Sequence, residues 1–334
     1  MIDRRSLLLS AAVVGIATTT SGADAQTPPP DVPGGSHVPG LPEPTETIDL
    51  WPKGAPGMPA RPPVEIVDER SKEAQLGDRA VHGTTRPRLV VFRPLIPNGS
   101  AVLVMPGGGY VRVVIDKEGY EIAHWLAARG FTVFVLFYRL PGDGWKAGPD
   151  VALSDAQRAM RLIRARARDY GVMPERVAAM GFSAGGHVCG DLATRFATKT
   201  YDPIDAADRL SARPAVAAHV YAVQSMTLPV AHAGSREQLI GKDASPALEA
   251  AHTPASNVTR ETPPTFLVHA EDDPAVPVEN SLLYRAALKK AGVPVETHLF
   301  TAGGHGFGLR YAAGKPAEAW PDLFVAWART QGFG

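Results

Sequence analysis

The feature that most limits the fold of this chain is an alternation, from about Val64 onward, of short apolar runs with stretches of helical spacing. Phe131 to Tyr138 and Val177 to Phe182 are nearly continuous apolar runs. A strand with one wet face alternates polar and apolar residues, whereas an unbroken run fits a strand covered on both faces. Arg88 to Arg93, Ala101 to Met105, Ala215 to Val223, Phe266 to Ala270 and Val295 to Phe300 complete the strand set. Glu118 to Arg129 has helical spacing, with Ile122, Trp125 and Leu126 on one face and Gly130 at its end. A helix beginning near Ser154-Asp155 carries Ala159, Leu162 and Ile163 on its apolar face, and Ser281 to Ala291 and Pro321 to Gln331 read as further helices. The order predicts an α/β fold with a mostly parallel central sheet and helices on both faces. Ligands bind such sheets at the carboxyl ends of the strands.

Three of those strand ends carry chemistry. Gly181-Phe182-Ser183-Ala184-Gly185 fits G-x-S-x-G between a buried strand and an Ala/Leu helix, the context of a nucleophile elbow. Pro106-Gly107-Gly108-Gly109-Tyr110 follows the strand ending at Met105. Consecutive glycines let backbone N–H groups approach a developing oxyanion, with Gly108, Gly109 and Ala184 as the expected donors. The same loop lacks the Gly-Lys-Ser/Thr ending of a phosphate loop and the G-x-G-x-x-G spacing of a dinucleotide fold. His305, in Gly303-Gly304-His305-Gly306, and Asp273, in Asp272-Asp273-Pro274, follow the last two strands. Serine, acid, histidine is the chain order of α/β-hydrolases. His305 is the expected base and Asp273 its partner. Asp272 competes for the acid role, and Asp273 is preferred because Asp-Pro-x-Val-Pro is the commoner form of this loop. His298 lies inside a strand and is the weaker base. His187 and Cys189, on the helix after the elbow, read as packing residues. Tyr110 either stacks on a sugar or aromatic acyl group or packs the glycine loop in place.

Around these motifs the chain resembles the α/β-hydrolase family of acetylxylan esterases and related short-chain feruloyl and acetyl esterases. The resemblance is carried by IDLWPKGAPG at Ile48 to Gly57, VMPGGGY at Val104 to Tyr110, DKEGYEIAHWL at Asp116 to Leu126 and FYRLPG at Phe137 to Gly142. DAQRAMRLIRARA from Asp155, GFSAGGH from Gly181, the segment from Thr262 to Ser281 and GGHGFG from Gly303 extend it over nearly the whole of the expected mature chain. It implies hydrolysis of short acyl esters, often acetyl groups on plant polysaccharides, by a Ser183, Asp273 and His305 triad. Pro106 stands where hormone-sensitive-lipase-like esterases have histidine, which favours the small-esterase branch.

Ahead of the alternating region, Arg4 and Arg5 precede an apolar run from Leu7 to Ala17, and Ala23-Asp24-Ala25 supplies a small-x-small cleavage site. Residues 1–25 therefore read as an export signal, of twin-arginine type or, alternatively, of Sec type. The expected location is periplasmic or secreted. Residues 26–63 are rich in proline and glycine and read as an arm or linker. Residues 64–334 form the catalytic domain, within which 224–264 is a small cap or an irregular surface excursion.

Thirty-four acidic and thirty-four basic residues leave no formal net charge, which argues against nucleic acid or an anionic membrane as partner. The expected partner is a small-molecule or oligosaccharide ester. One cysteine cannot form an internal disulfide. No H-E-x-x-H or similar cluster marks a metal, and no cofactor is expected. A glycosidase needs two carboxylates across a glycosidic bond, and no pair is marked out. A peptidase, a general carboxylesterase and a non-catalytic binding protein remain the alternatives.

Overall fold

The computed structural model describes residue 44, residues 46–73 and residues 76–334. Residues 1–25, read above as an export signal, and half of the proline-rich arm lie outside those residues.

Eight strands form the central sheet: β1 (Glu46–Asp49), β4 (Arg88–Phe92), β5 (Ala101–Met105), β7 (Thr132–Phe137), β8 (Val177–Phe182), β9 (Ala217–Val220), β10 (Thr265–Ala270) and β11 (Val295–Phe300). Their spatial order is β1-β4-β7-β5-β8-β9-β10-β11. β7 through β11 run parallel, and β4 and β1 complete the sheet as antiparallel strands. Every residue of β5, β7 and β8 is buried, as their unbroken apolar runs required. Helices α1 (Glu121–Ala127), α2 (Val151–Ala165), α3 (Ser183–Arg195), α6 (Glu279–Ala291) and α7 (Trp320–Thr330) accompany the sheet. This is the α/β-hydrolase architecture expected from the sequence.

Two parts of the fold depart from expectation. The end of the proline-rich arm is not a linker: β1 pairs with β4 in the register Thr47↔Val90 and Ile48↔Leu89. Ile48 and Leu50 are buried while Thr47 and Asp49 are exposed, the period-two pattern of an edge strand. An edge tolerates nearby prolines because one side of the strand needs no hydrogen bonds. The chain is then pinned by Trp51, whose Nε1 donates to Asp155 Oδ1 at 2.7 Å, and by Arg158 Nε, which donates to Leu50 O at 3.0 Å. Residues 224–264 are also more ordered than their sequence suggests. They contain α4 (Ala233–Ile240) and α5 (Pro246–Ala251). Buried Arg236 ties them together by donating to the carbonyls of Met226, Gly241 and Lys242 and by pairing with Glu249.

A second, small antiparallel sheet joins β2 (Ile66–Glu69), β3 (Arg79–His82) and β6 (Val113–Val114). The buried pair Arg79–Asp116, 2.7 Å apart, anchors a π-helical turn over Asp116–Tyr120 directly before α1. That turn sets Glu118 beneath the glycine loop.

Candidate active site

The elbow is built by close backbone packing. Ser183, the first residue of α3 directly after β8, has φ +52°, a left-handed conformation that is costly for a residue with a side chain. A Cβ on Gly185 would lie 2.1 Å from Met105 O, so no other residue fits there. The strain holds the Ser183 hydroxyl over the sheet at a helix start.

β10 and β11 are neighbours in register, with Ala270 opposite Phe300, so the loops that follow them leave the same end of the sheet. Those loops bring the acid and base to the serine. Ser183 Oγ lies 2.9 Å from His305 Nε2, and His305 Nδ1 lies 2.8 Å from Asp273 Oδ2. A carboxylate only accepts, so Nδ1 carries the proton and Nε2 is free to take the serine proton. The other oxygen, Asp273 Oδ1, accepts the N–H groups of Ala275 and Val276, each at 2.9 Å. Burial alone would raise the Asp273 carboxyl, but hydrogen bonds from His269 and His305 outweigh it and hold the group well below the usual carboxylate range. Asp272, the competing acid, instead accepts the N–H groups of Gly303 and Gly304 at 2.9 and 2.8 Å and shapes the turn before His305. His298 pairs with Glu296 at 3.0 Å on β11.

The glycine loop stands beside the serine. The N–H of Gly107 is taken by Glu118 Oε2 at 2.8 Å. The N–H groups of Gly108 and Gly109 have no acceptor among the described residues. Ala184 is the second residue of α3, where helical N–H groups lack an intrahelical partner and the helix dipole is positive. The three expected donors thus stand beside the serine without a competing acceptor in the loop.

Tyr110 differs from one of its two expected roles. Its ring is 2% exposed, which leaves no face for stacking on a substrate. His187 Nε2 lies 2.7 Å from the carbonyl of His252, so that nitrogen carries the proton and Nδ1 accepts the Tyr110 hydroxyl at 2.6 Å. The tyrosine packs the loop onto α3. Cys189 is buried, and burial pushes its thiol up, as expected of a core residue.

Several residues about the site belong to no motif of the sequence. His269, near the end of buried β10, bonds the acid. Tyr221, directly after β9, sets its ring edge-on to His305 with centroids 5.1 Å apart. His232 caps the start of α4 and is pushed down by burial first and then by His305, which places that helix end within electrostatic reach of the base. A histidine inside an apolar strand run is the one clue the sequence offered for His269.

The BD-FAE family matches residues 97–288. The acetylxylan esterase of Xylanibacter ruminicola is 32% identical over 229 residues, which is 67% of this chain and 44% of that protein. The endo-1,4-beta-xylanase B of Butyrivibrio fibrisolvens is 35% identical over 205 residues, 61% of this chain and 32% of that protein. The chain thus spans less than half the length of either curated relative. The crystal structure of an acetyl ester-xyloside bifunctional hydrolase from Caldicellulosiruptor lactoaceticus has a TM-score of 0.70 and 34% identity, covering 88% of this chain and 99% of that one.

Proposed function

Because the chain belongs to the BD-FAE family of α/β-hydrolase-type esterases, we propose that it is a carboxylic ester hydrolase acting on short acyl esters, chiefly acetyl groups on plant-polysaccharide sugars such as acetylxylan. The reaction rests on one observation, the continuous chain Ser183 Oγ, His305, Asp273 with links of 2.9 and 2.8 Å. The substrate rests on the names of the acetylxylan esterase and the acetyl ester-xyloside hydrolase.

The reaction runs in two halves. Ser183 Oγ attacks the ester carbonyl as His305 Nε2 takes its proton. The carbonyl oxygen gains charge, which the N–H groups of Gly108, Gly109 and Ala184 stabilise. His305 returns the proton to the departing alcohol, leaving an acyl-serine. Water then attacks the acyl carbon with His305 as base, and the acid leaves as Ser183 recovers its proton. Asp273 stays ionised throughout and stabilises the imidazolium. We also place the mature enzyme outside the cytoplasm, on the paired arginines and apolar run of residues 1–25. Replacing Arg4 and Arg5 by lysine should strand a twin-arginine precursor in the cytoplasmic fraction.

The test compares the enzyme with its Ser183→Ala variant on acetylated xylan and on p-nitrophenyl esters of rising acyl length. Acetate release from the polysaccharide, preference for the shortest esters and a loss of about 10⁴- to 10⁶-fold in the variant are expected. Full activity in Ser183→Ala overturns the reaction. Activity that climbs with acyl length, with none on acetylated sugar, overturns the substrate.

A further inference from the structure

One buried carboxylate lies between the two loops of the site and takes no part in acyl transfer. Glu118 is 3% exposed and belongs to the π-helical turn before α1. Its Oε2 accepts the N–H of Gly107 at 2.8 Å, and its Oε1 accepts the Tyr221 hydroxyl at 3.0 Å. The Tyr221 oxygen in turn accepts the N–H of Gly308 at 3.1 Å. Burial, then the adjacent Glu118 charge, keeps the phenol protonated and hence a donor. A hydrogen-bonded path thus runs from the loop of Gly108 and Gly109 to the turn that carries His305.

The path controls direction as well as distance. In a trans peptide the C=O and the following N–H point opposite ways. Gly107 has its own N–H held by Glu118, and its C=O accepts the N–H of Val114 at 3.0 Å. Both sides of Gly107 being held, the N–H of Gly108 is aimed away from Val114. At the other end Tyr221, buried with φ +39°, packs edge-on against Phe307 at 4.5 Å as well as against His305. A carboxylate is costly to desolvate, and an amide or apolar side chain would fill the space without that cost.

We propose that Glu118 is a positioning residue which, through Tyr221, sets the oxyanion donors against His305. The proposal rests on the ester-hydrolase reading above. Oxyanion donors work only when preorganised at hydrogen-bond distance from the transition-state oxygen, so slack between the two loops lowers the rate without weakening ground-state binding.

The experiment measures kcat and KM on p-nitrophenyl acetate for Glu118→Gln, Tyr221→Phe and the double variant, with Tm as the check of folding. Each single change should lower kcat about 10- to 100-fold with KM within about threefold. The double variant should fall no more than about twofold below the weaker single, because both changes break one path. Wild-type kcat in folded Glu118→Gln overturns the proposal, and so do losses that multiply in the double variant. Should Glu118→Gln not fold, Tyr221→Phe, which keeps the ring, decides: wild-type kcat there overturns the proposal too. Hydrolysis that survives Ser183→Ala sinks the ester-hydrolase reading itself. Ser183-dependent hydrolysis that ignores Glu118 and Tyr221 sinks this inference alone.

Discussion

His269 Nε2 stands 3.2 Å from Asp273 Oδ2, the same oxygen that takes His305 Nδ1 at 2.8 Å. His269 Nε2 also faces Val276 O at 3.0 Å, and its Nδ1 faces Ser281 Oγ at 2.8 Å. A carbonyl cannot donate, so Nε2 carries the proton and Nδ1 accepts from the serine hydroxyl. The acid is therefore clamped by two imidazoles, only one of which faces the nucleophile. His269→Ala should lower kcat about tenfold and destabilise the protein by about 1–3 kcal/mol, since it leaves buried acceptors unsatisfied. Steady-state kinetics with urea unfolding check this; a variant with wild-type values in both would rule out the clamp.

The glycine loop permits a sharper contrast. A Cβ on Gly108, at φ +131°, would lie 2.1 Å from Arg112 O, so Gly108→Ala must move the loop. A loss of about 10²- to 10³-fold in kcat is expected, the value of a misplaced oxyanion donor. Gly109, at φ +66°, has nothing within 4 Å of its Cβ position. Gly109→Ala should cost about 1–2 kcal/mol of stability for the left-handed backbone, with a much smaller change in rate. Equal kinetic losses at the two positions would contradict this assignment.

Tyr110→Phe separates loop packing from substrate stacking. It removes the hydroxyl bonded to His187 at 2.6 Å and keeps the ring. Stability should drop by about 1–2 kcal/mol as a buried acceptor loses its partner, while KM for acetylated xylan stays at the wild-type value. A KM change with unaltered stability would restore the ring to the substrate.

His219, wholly buried in β9, makes the stability of the fold depend on pH. Burial pushes its pKa from 6.5 down to about 4, partly offset by its bond to Gly186 O. Between those values the unfolded chain binds a proton that the folded state refuses. The contribution to stability is therefore fully present above pH 6.5 and shrinks as pH falls toward 4. The full loss is about 3 kcal/mol at 1.36 kcal/mol per pH unit. His187, also pushed down by burial, acts in the same direction. Urea midpoints across this range should fall less steeply for His219→Gln than for the wild type, and parallel profiles would exclude His219 as a cause.

Much of the scaffold was legible because its signal is local. Ala101 to Met105, Val177 to Phe182 and Val295 to Phe300 read as strands with the bounds they have in the fold. The first two are unbroken apolar runs, which record burial on both faces directly. The elbow, the glycine loop and the order of Ser183, Asp273 and His305 were readable because strained turns demand particular residue types at fixed spacing.

What stayed hidden depends on partners far away in the chain. β1 sits in a proline-rich stretch and is a strand only because the β4 edge receives it. The loop form favoured Asp273 over Asp272, but the bonds that separate their roles, to His305 and to Gly303, carry no local signal. Tyr110 turned inward because His187, 77 residues on, offered a buried acceptor. Glu118 reads in sequence as one more helix residue, yet its two oxygens meet groups 11 and 103 residues away. The sequence by itself determined the sheet, the elbow and the types of reacting group, since local patterning carries burial period and backbone strain. Only the tertiary structure decided what clamps the acid and what holds the loops in register, because hydrogen bonds between distant segments leave no periodic trace in the chain.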